Sequence, residues 1–356
     1  MRLLDVADRA GVSVKTVSNV VHGYVHVSAE TRAKVQAVLD ETGYRPNLSA
    51  RNLRAGRTGV IALALPELDN PYFAELTRFV VQAAQGQGWT VLVDQTDGLR
   101  DRELLVSTGI RHHLIDGLIM SPVALGSDDL ARRDPDDTPL VLLGEKHGAG
   151  GAADHVAFDN VAAARVATRH LLGLGRRRIA AIGHQPGSTT GSGVAHLRRR
   201  GWEQELTSAG LELDSAWCRE VATFRREDGV AAVHALLDDG IGVDALFCFN
   251  DTLAIGALRA LADRGIRVPD EVAVIGVDDV AEARFAVPTL STIAPDKERI
   301  ATLAVRMLAE RLEPGGRDLV PRDVKAGFEL VARESTLGRG QAPGSGGPAQ
   351  REPRSR

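Results

Sequence analysis

Lys15, Thr16, Ser18, Asn19 and His22 stand among Val17, Val20 and Val21, so polar and apolar positions alternate at helical spacing. An ammonium group, two hydroxyls, an amide and an imidazole on one outward stripe can bond phosphate oxygens and base edges. Asn is the side chain whose donor and acceptor match the major-groove edge of adenine. A second polar set lies far along the chain. Asp69, Asn250, Asp251 and Asp278 each follow a short apolar run, and Arg198 falls in the helical stretch after another. Tyr72 and Phe73 form an adjacent aromatic pair in a chain with only 4% aromatic residues, which suggests a flat platform for a ring. Carboxylates, a guanidinium, an amide and aromatic faces suit a polyhydroxylated ligand such as a sugar; they would also suit a nucleobase.

The first set needs a helix to present it, and the surrounding residues supply three. Leu4, Val6, Ala7 and Ala10 give a short first helix ended by Gly11. Ser13 reads as the N-cap of a second, Val14 to Val21, and Ser28 opens a third that carries Val35, Val38 and Leu39 on one face and stops at Gly43. Two helices joined by a short glycine-containing turn form the helix-turn-helix pattern, whose second helix enters the major groove. The plainer alternative is a small basic bundle. It accounts for the valines but not for five hydrogen-bonding side chains on one helix.

Charge supports the division. The whole chain has 356 residues and a net charge of −4, which by itself argues mildly against nucleic acid. Residues 1–58 hold nine basic against five acidic side chains, for +4; residues 338–356 carry +3, leaving −11 between them. A basic head on an acidic body is the pattern of an appended nucleic-acid module. The tail from Gly338, rich in Gly, Pro, Ser and Arg, reads as disordered, with no heptads for a tetramerising coiled coil.

From Val60 onward, apolar runs alternate with helical patterns. Strands are expected at Val60–Leu65, Thr90–Val93, Leu118–Met120, Leu140–Leu143, Val156–Phe158, Ile179–Ile182, Ala245–Phe249 and Val272–Val277. Continuous apolar runs suit strands covered on both faces of a parallel sheet, and there are too many for one compact sheet. In such folds ligands bind beyond the carboxyl ends of strands, where Asp69, Asn250, Asp251 and Asp278 fall. Each alone could be a helix cap or a solvated loop residue, and Asp251 is expected to cap its helix. Tyr72 and Phe73 could likewise be only the core face of a helix with Leu76, Val80 and Ala83.

The run from Asp5 to Val21, with His26-Val27-Ser28-Ala29-Glu30-Thr31-Arg32 and Gly43-Tyr44-Arg45-Pro46-Asn47, resembles the head of the lactose-repressor (LacI/GalR) family of bacterial transcription regulators. Further on, Asp69-Asn70-Pro71-Tyr72-Phe73, Asp116-Gly117-Leu118-Ile119, Phe249-Asn250-Asp251, Val268-Pro269-Asp270, Ile275-Gly276-Val277-Asp278-Asp279 and Arg333-Glu334-Ser335-Thr336 follow in the family's order, so the resemblance reaches about Gly338. It implies that Val14, Lys15 and Asn19 read bases, with Thr16 and Ser18 on phosphates. Asn19 stands where many members carry Arg. The resemblance also implies that the segment containing Asn47, Ser49, Ala50, Leu53 and Arg54 folds on operator DNA and docks in the minor groove, with Leu53 wedged between base pairs. An ordinary flexible linker is the alternative there. For the body it implies two Rossmann-like subdomains, as in periplasmic sugar-binding proteins. Three crossovers would join them, near Phe158–Asn160, near Pro288 and near Arg317–Asp323. Arg198, Phe224 and Asp278 match effector-contact positions, whereas Gly144-Glu145 departs from the family's Asp-Arg.

The expected organisation is therefore an α/β protein with a helix-turn-helix domain at 1–46 and a hinge at 47–57. An effector-binding and dimerisation body follows at 58–337, split into an N-subdomain (about 58–158 and 288–317) and a C-subdomain (about 159–287 and 318–337). A homodimer would bind a pseudo-palindromic operator under control of a small molecule, a sugar being favoured over a nucleoside. An enzyme is the first rival. Gly191-Ser192-Gly193 begins like a dinucleotide loop but His196 replaces its third glycine, and no phosphate loop or nucleophile elbow occurs, so no cofactor is expected. Cys218 and Cys248 show no metal-ligand spacing. A secreted solute-binding protein is the second rival. Acidic residues near the N-terminus interrupt any signal-peptide core, and no apolar run approaches a membrane span, so a cytoplasmic site is expected. A generic interaction protein would not need Lys15, Thr16, Ser18 and Asn19 along one helix.

Overall fold

The computed structural model describes residues 3–21, 24, 26–43, 57–108, 114–134, 137–144, 153–185 and 193–339. The chain separates into two compact units, one ending at Gly59 and the other beginning at Val60.

Among the described residues, the first unit is a bundle of α1 (Leu3–Ala10), α2 (Val14–Val21) and α3 (Ala29–Thr42). Val6 and Ala7, Val17 and Val20, and Val35 and Leu39 bury their side chains together and fix the three helices around one small core. Gly11 takes φ +64° between α1 and α2, a conformation that costs little only for glycine. Ser13 Oγ accepts the Thr16 N–H at 3.1 Å, and Ser28 Oγ accepts that of Thr31 at 3.3 Å, so both expected caps form. Gly43 ends α3 in the left-handed region.

The second unit runs β1 (Val60–Leu65), α4 (Pro71–Gly86), β2 (Thr90–Gln95), α5 (Arg100–Ser107), β3 (Gly117–Met120), α6 (Ser127–Ala131), β4 (Leu140–Leu143) and β5 (Asp154–Phe158). It continues through α7 (Asn160–Gly173), β6 (Ile179–His184), α8 (Val194–Ser208), β7 (Cys218–Glu220), α9 (Arg226–Asp238), β8 (Ala245–Cys248), α10 (Asp251–Asp263) and β9 (Ala273–Val277). It closes with β10 (Ser291–Pro295), α11 (Lys297–Leu312), β11 (Asp323–Ala326), β12 (Phe328–Val331) and α12 (Glu334–Leu337). Two six-stranded sheets result, ordered β11-β5-β4-β3-β1-β2 and β12-β10-β9-β8-β6-β7. Every pairing is parallel except that of β10 with β12. Each sheet with its helices makes one lobe.

The chain crosses between lobes after Phe158, as expected, but the other two crossings lie further along. β10 belongs to the C-terminal sheet, so the second crossing falls at Asp296 rather than near Pro288. β11 pairs with β5 in the N-terminal sheet and β12 with β10 in the other, so the third falls at Gly327, beyond Arg317–Asp323. Polar strands hide this topology. Ser291 and Thr292 are fully buried yet bonded, to Thr336 at 2.7 Å and Asp251 at 2.6 Å, while β11 and β12 are short sheet edges of mixed polarity.

Candidate functional site

In the head, Ser13 at the start of α2 and Val14 and Lys15 on it are exposed, and Thr16, Ser18 and Asn19 are half-buried beside them. Val17 and Val20 hold the opposite face of the same helix in the core. The arrangement offers an ammonium, hydroxyls and an amide along one helix face, with Val14 as an apolar contact for a thymine methyl. His22, Asn47, Ser49, Ala50, Leu53 and Arg54 lie outside the described residues.

In the body, a cavity of about 1050 Å³ opens between the lobes at the carboxyl ends of the strands. Its N-terminal wall includes Asn70, Tyr72 and Phe73 at the start of α4, the segment Ser121–Ala124 after β3, and Gly144 after β4. Phe158 and Asn160 sit at the first crossing; Arg198, Phe224, Asn250 and Asp278 complete the opposite wall. Of the residues expected here, Tyr72, Phe73, Arg198, Phe224, Asn250 and Asp278 therefore come together.

Asp69 does not. Its side chain is 69% exposed and stands 3.6 Å from Arg225, because Asn70 takes the capping position and receives the Tyr72 N–H at 3.1 Å. Asp251 is also misassigned as a cap. Asn250 caps α10, accepting the Leu253 N–H at 2.9 Å, while the buried Asp251 carboxylate accepts Val280 N–H at 3.0 Å and the Thr292 hydroxyl at 2.6 Å. Gly276 makes room for it, since a Cβ there would lie 2.2 Å from Asp251 Oδ1. Burial pushes the Asp251 carboxyl well above the usual range, and the nearby Asp278 adds to the shift. Tyr72 and Phe73 do not make one flat platform either. Their rings meet edge to face at 72°, since consecutive helical residues point about 100° apart.

Arg198 organises the floor. Its Nε donates to Asn160 Oδ1 at 2.6 Å, its Nη1 to the Phe249 carbonyl, and its guanidinium lies 5.8 Å from the Phe158 ring centroid. It sits deep because Gly201, one turn on, lets α8 press against α7: a Cβ there would be 2.4 Å from the Val161 carbonyl oxygen. Asp278 Oδ1 faces Arg198 Nη2 at 3.7 Å. Burial pushes the Asp278 carboxyl up to about 6, against the pull of Arg198 and Lys297.

Two contributors carry no obvious mark in the sequence. Asn160 is buried at the first crossing, where its Oδ1 accepts from Arg198 and fixes the guanidinium while its Nδ2 lies enclosed without a partner; its place just after β5 is its sole cue. Glu103 on α5 accepts the N–H groups of Val123, Ala124 and Leu125 at 2.7, 2.9 and 2.8 Å, and so shapes the Ser121–Ala124 wall from behind. The floor thus presents a carboxylate acceptor and a guanidinium within a frame of aromatic rings. Among the described residues no group of His, Cys, Asp or Glu side chains could hold a metal, and no helix is long and apolar enough to cross a membrane.

A helix-turn-helix head joined to a two-lobed body with a cleft at its strand ends defines a DNA-binding transcription regulator governed by a small-molecule effector. The chain belongs to the LacI family. Residues 2–47 match the family described as bacterial regulatory proteins, lacI family, and residues 168–336 match a periplasmic binding protein-like domain. It is 33% identical over 343 residues to the HTH-type transcriptional regulator DegA of Bacillus subtilis, covering 94% of this chain and 97% of that protein. It is 32% identical over 309 residues to the HTH-type transcriptional repressor PurR of Serratia proteamaculans, covering 86% and 89%. Among solved structures, the lac repressor dimer bound to operator and the anti-inducer ONPF aligns with TM-score 0.78 at 27% identity, covering 95% of this chain and 99% of that one. The transcriptional regulator CelR–cellobiose complex aligns with TM-score 0.67 at 30% identity, covering 94% and 99%.

Proposed function

We propose that this regulator is a non-enzymatic homodimer acting in the cytoplasm, where its paired heads grip a pseudo-palindromic operator and a sugar in the cleft sets their affinity. The observation that carries the effector class is the floor itself. Asp278 is a buried carboxylate acceptor and the Arg198 guanidinium a buried donor beside it, so adjacent hydroxyls find both among rings. The 30% identical CelR, solved with cellobiose, supports a sugar. The aromatic rings lining the cleft make a nucleobase the second reading.

Lys15, Val14 and Asn19 would read base edges, with Ser13, Thr16, Ser18 and His22 on the backbone. The hinge residues Asn47, Ser49, Ala50, Leu53 and Arg54 would fold in the minor groove, with Leu53 as the wedge. Effector binding would change the angle between the N-terminal lobes of the dimer and shift the hinge between folded and unfolded forms. A thermal-shift screen of sugars and nucleosides on the full chain tests the effector class: stabilisation by nucleosides alone would replace the sugar reading. Deleting residues 1–56 is expected to abolish operator retention while leaving ligand stabilisation intact. A Leu53→Ser operator titration tests the wedge, which an ordinary linker would not need.

A further inference from the structure

The turn after β9 runs through two consecutive non-glycine residues at positive φ, Asp278 at 122° and Asp279 at 46°. Such backbone is strained and persists only where its surroundings over-determine it. Here the surroundings come from both lobes. Lys297, at the start of α11 just after the second crossing, donates to the Asp278 carbonyl at 2.7 Å and the Asp279 carbonyl at 3.0 Å. Its side chain is 9% exposed, and its third donor goes to Glu75 Oε2 at 2.5 Å. Glu75 lies on α4 in the N-terminal lobe, and its other oxygen accepts the Ala281 N–H at 2.8 Å. One carboxylate from the opposite lobe thus closes the far end of the turn directly and its near end through a lysine. Arg333 and Arg284 bind the Asp279 carboxylate, which leaves Asp278 as the side chain the turn offers to the cleft. Tyr72, one turn before Glu75 on the same helix, brings its ring to 6.0 Å from Lys297 Nζ.

We propose that Glu75 and Lys297 are positioning residues of the cleft, through which the N-terminal lobe holds the Asp278 turn in its ligand-facing shape. Asp278 is then presented correctly only while α4 and the turn are tied, so a ligand that engages Asp278 acts on the N-terminal lobe by a direct polar path. This rests on the cleft being the effector site, but the experiment below uses no effector, so the two readings fail independently.

Hydrogen exchange is followed by mass spectrometry on the full chain without ligand. Glu75→Ala removes an acceptor from the other lobe. It is expected to speed exchange of the amides at 278–281 by about fivefold or more, while the β9 amides stay protected. Glu75→Gln keeps one acceptor oxygen for two donors and turns an N–H2 toward the other, so its rate should fall between those of the parent and Glu75→Ala. Lys297→Met, which keeps the length of the stem, should loosen the turn together with the first turns of α4; if Glu75→Ala does not fold, this variant decides. Unchanged exchange at 278–281 in the folded Glu75→Ala or Lys297→Met protein overturns the proposal.

Discussion

Arg198 Nη2 stands 3.7 Å from Asp278 Oδ1, each side chain less than a tenth exposed. That separation is too long for a hydrogen bond, so the buried carboxylate is attracted but not satisfied. The imbalance explains why burial lifts the Asp278 carboxyl to about 6 despite a guanidinium beside it. A ligand O–H or N–H donated to Asp278 would supply the missing contact.

Asp278 should therefore be a cost to the empty protein at neutral pH. Its folded pKa lies above the unfolded value of about 3.9, so its contribution to stability is present below about pH 4 and lost as pH rises through about 6. Asp278→Asn is expected to stabilise the ligand-free chain by about 2–3 kcal/mol at pH 7.5, and by little near pH 4. Denaturant unfolding at the two pH values checks this, and an equal shift at both would remove titration as the cause. Asp278→Ala should keep operator affinity and lose the effector response.

The Ser121–Ala124 wall depends on Glu103, which is fully buried and takes three backbone N–H groups from across the loop. Glu103→Ala leaves those donors without their acceptor and is expected to cost about 3 kcal/mol. Ligand affinity should fall along with stability, because Ser121 to Ala124 line the cleft. Calorimetry of the variant settles the first part, and a stability loss under about 1 kcal/mol would show that water replaces the carboxylate.

How readily each feature is read from sequence follows the range of the interactions that make it. The α2 helix is legible to the residue, since Ser13 caps it locally and its valines keep one period. β1, β3 and β4 are legible as continuous apolar runs because both faces of the sheet are covered. β10 is not, since Ser291 and Thr292 belong in the core only through partners more than forty residues away. For that reason the second crossing lies beyond the place its sequence suggests. Within the cleft, Asp278 and Asn250 announce themselves by following strands, whereas Arg198, inside a helix, is marked by the family resemblance. Lys297 and Glu75, 222 residues apart, have no local pattern that pairs them.

Asp154 illustrates the opposite electrostatic case. It is fully buried on β5 and bonded to Arg311 at 2.9 and 3.0 Å and to Arg322 at 3.0 Å, joining β5 to α11 and to the chain entering β11. Burial alone would raise its carboxyl, yet the hydrogen bonds from Arg311 and Arg322 hold it below the usual range. A depressed carboxylate contributes stability above its unfolded pKa and loses it as pH falls through the folded value, so this cluster weakens only below about pH 4. Asp154→Ala, which strands Arg311 in the core, is expected to cost about 3–5 kcal/mol at pH 7. The deficit should shrink on acidification. A pH-independent deficit in chemical unfolding would assign the loss to packing.

The last prediction concerns base choice. Asn19 is half-buried on α2 beside the exposed Lys15, and its amide can pair with adenine N6 and N7, whereas an Arg would pair with guanine O6 and N7. Selection of duplexes by the full chain should therefore yield half-sites with adenine opposite Asn19. Asn19→Arg should move that one position to guanine, with discrimination of about 1–3 kcal/mol between the two bases. Lys15→Ala should weaken binding by a similar amount through a different contact. The comparison is made at fixed salt, because the phosphate contribution proposed for Thr16 and Ser18 would be common to both duplexes and cancel. If Asn19→Arg lowers affinity for all duplexes alike and leaves the selected base unchanged, Asn19 does not reach the base edges, and α2 lies on the DNA in a different register.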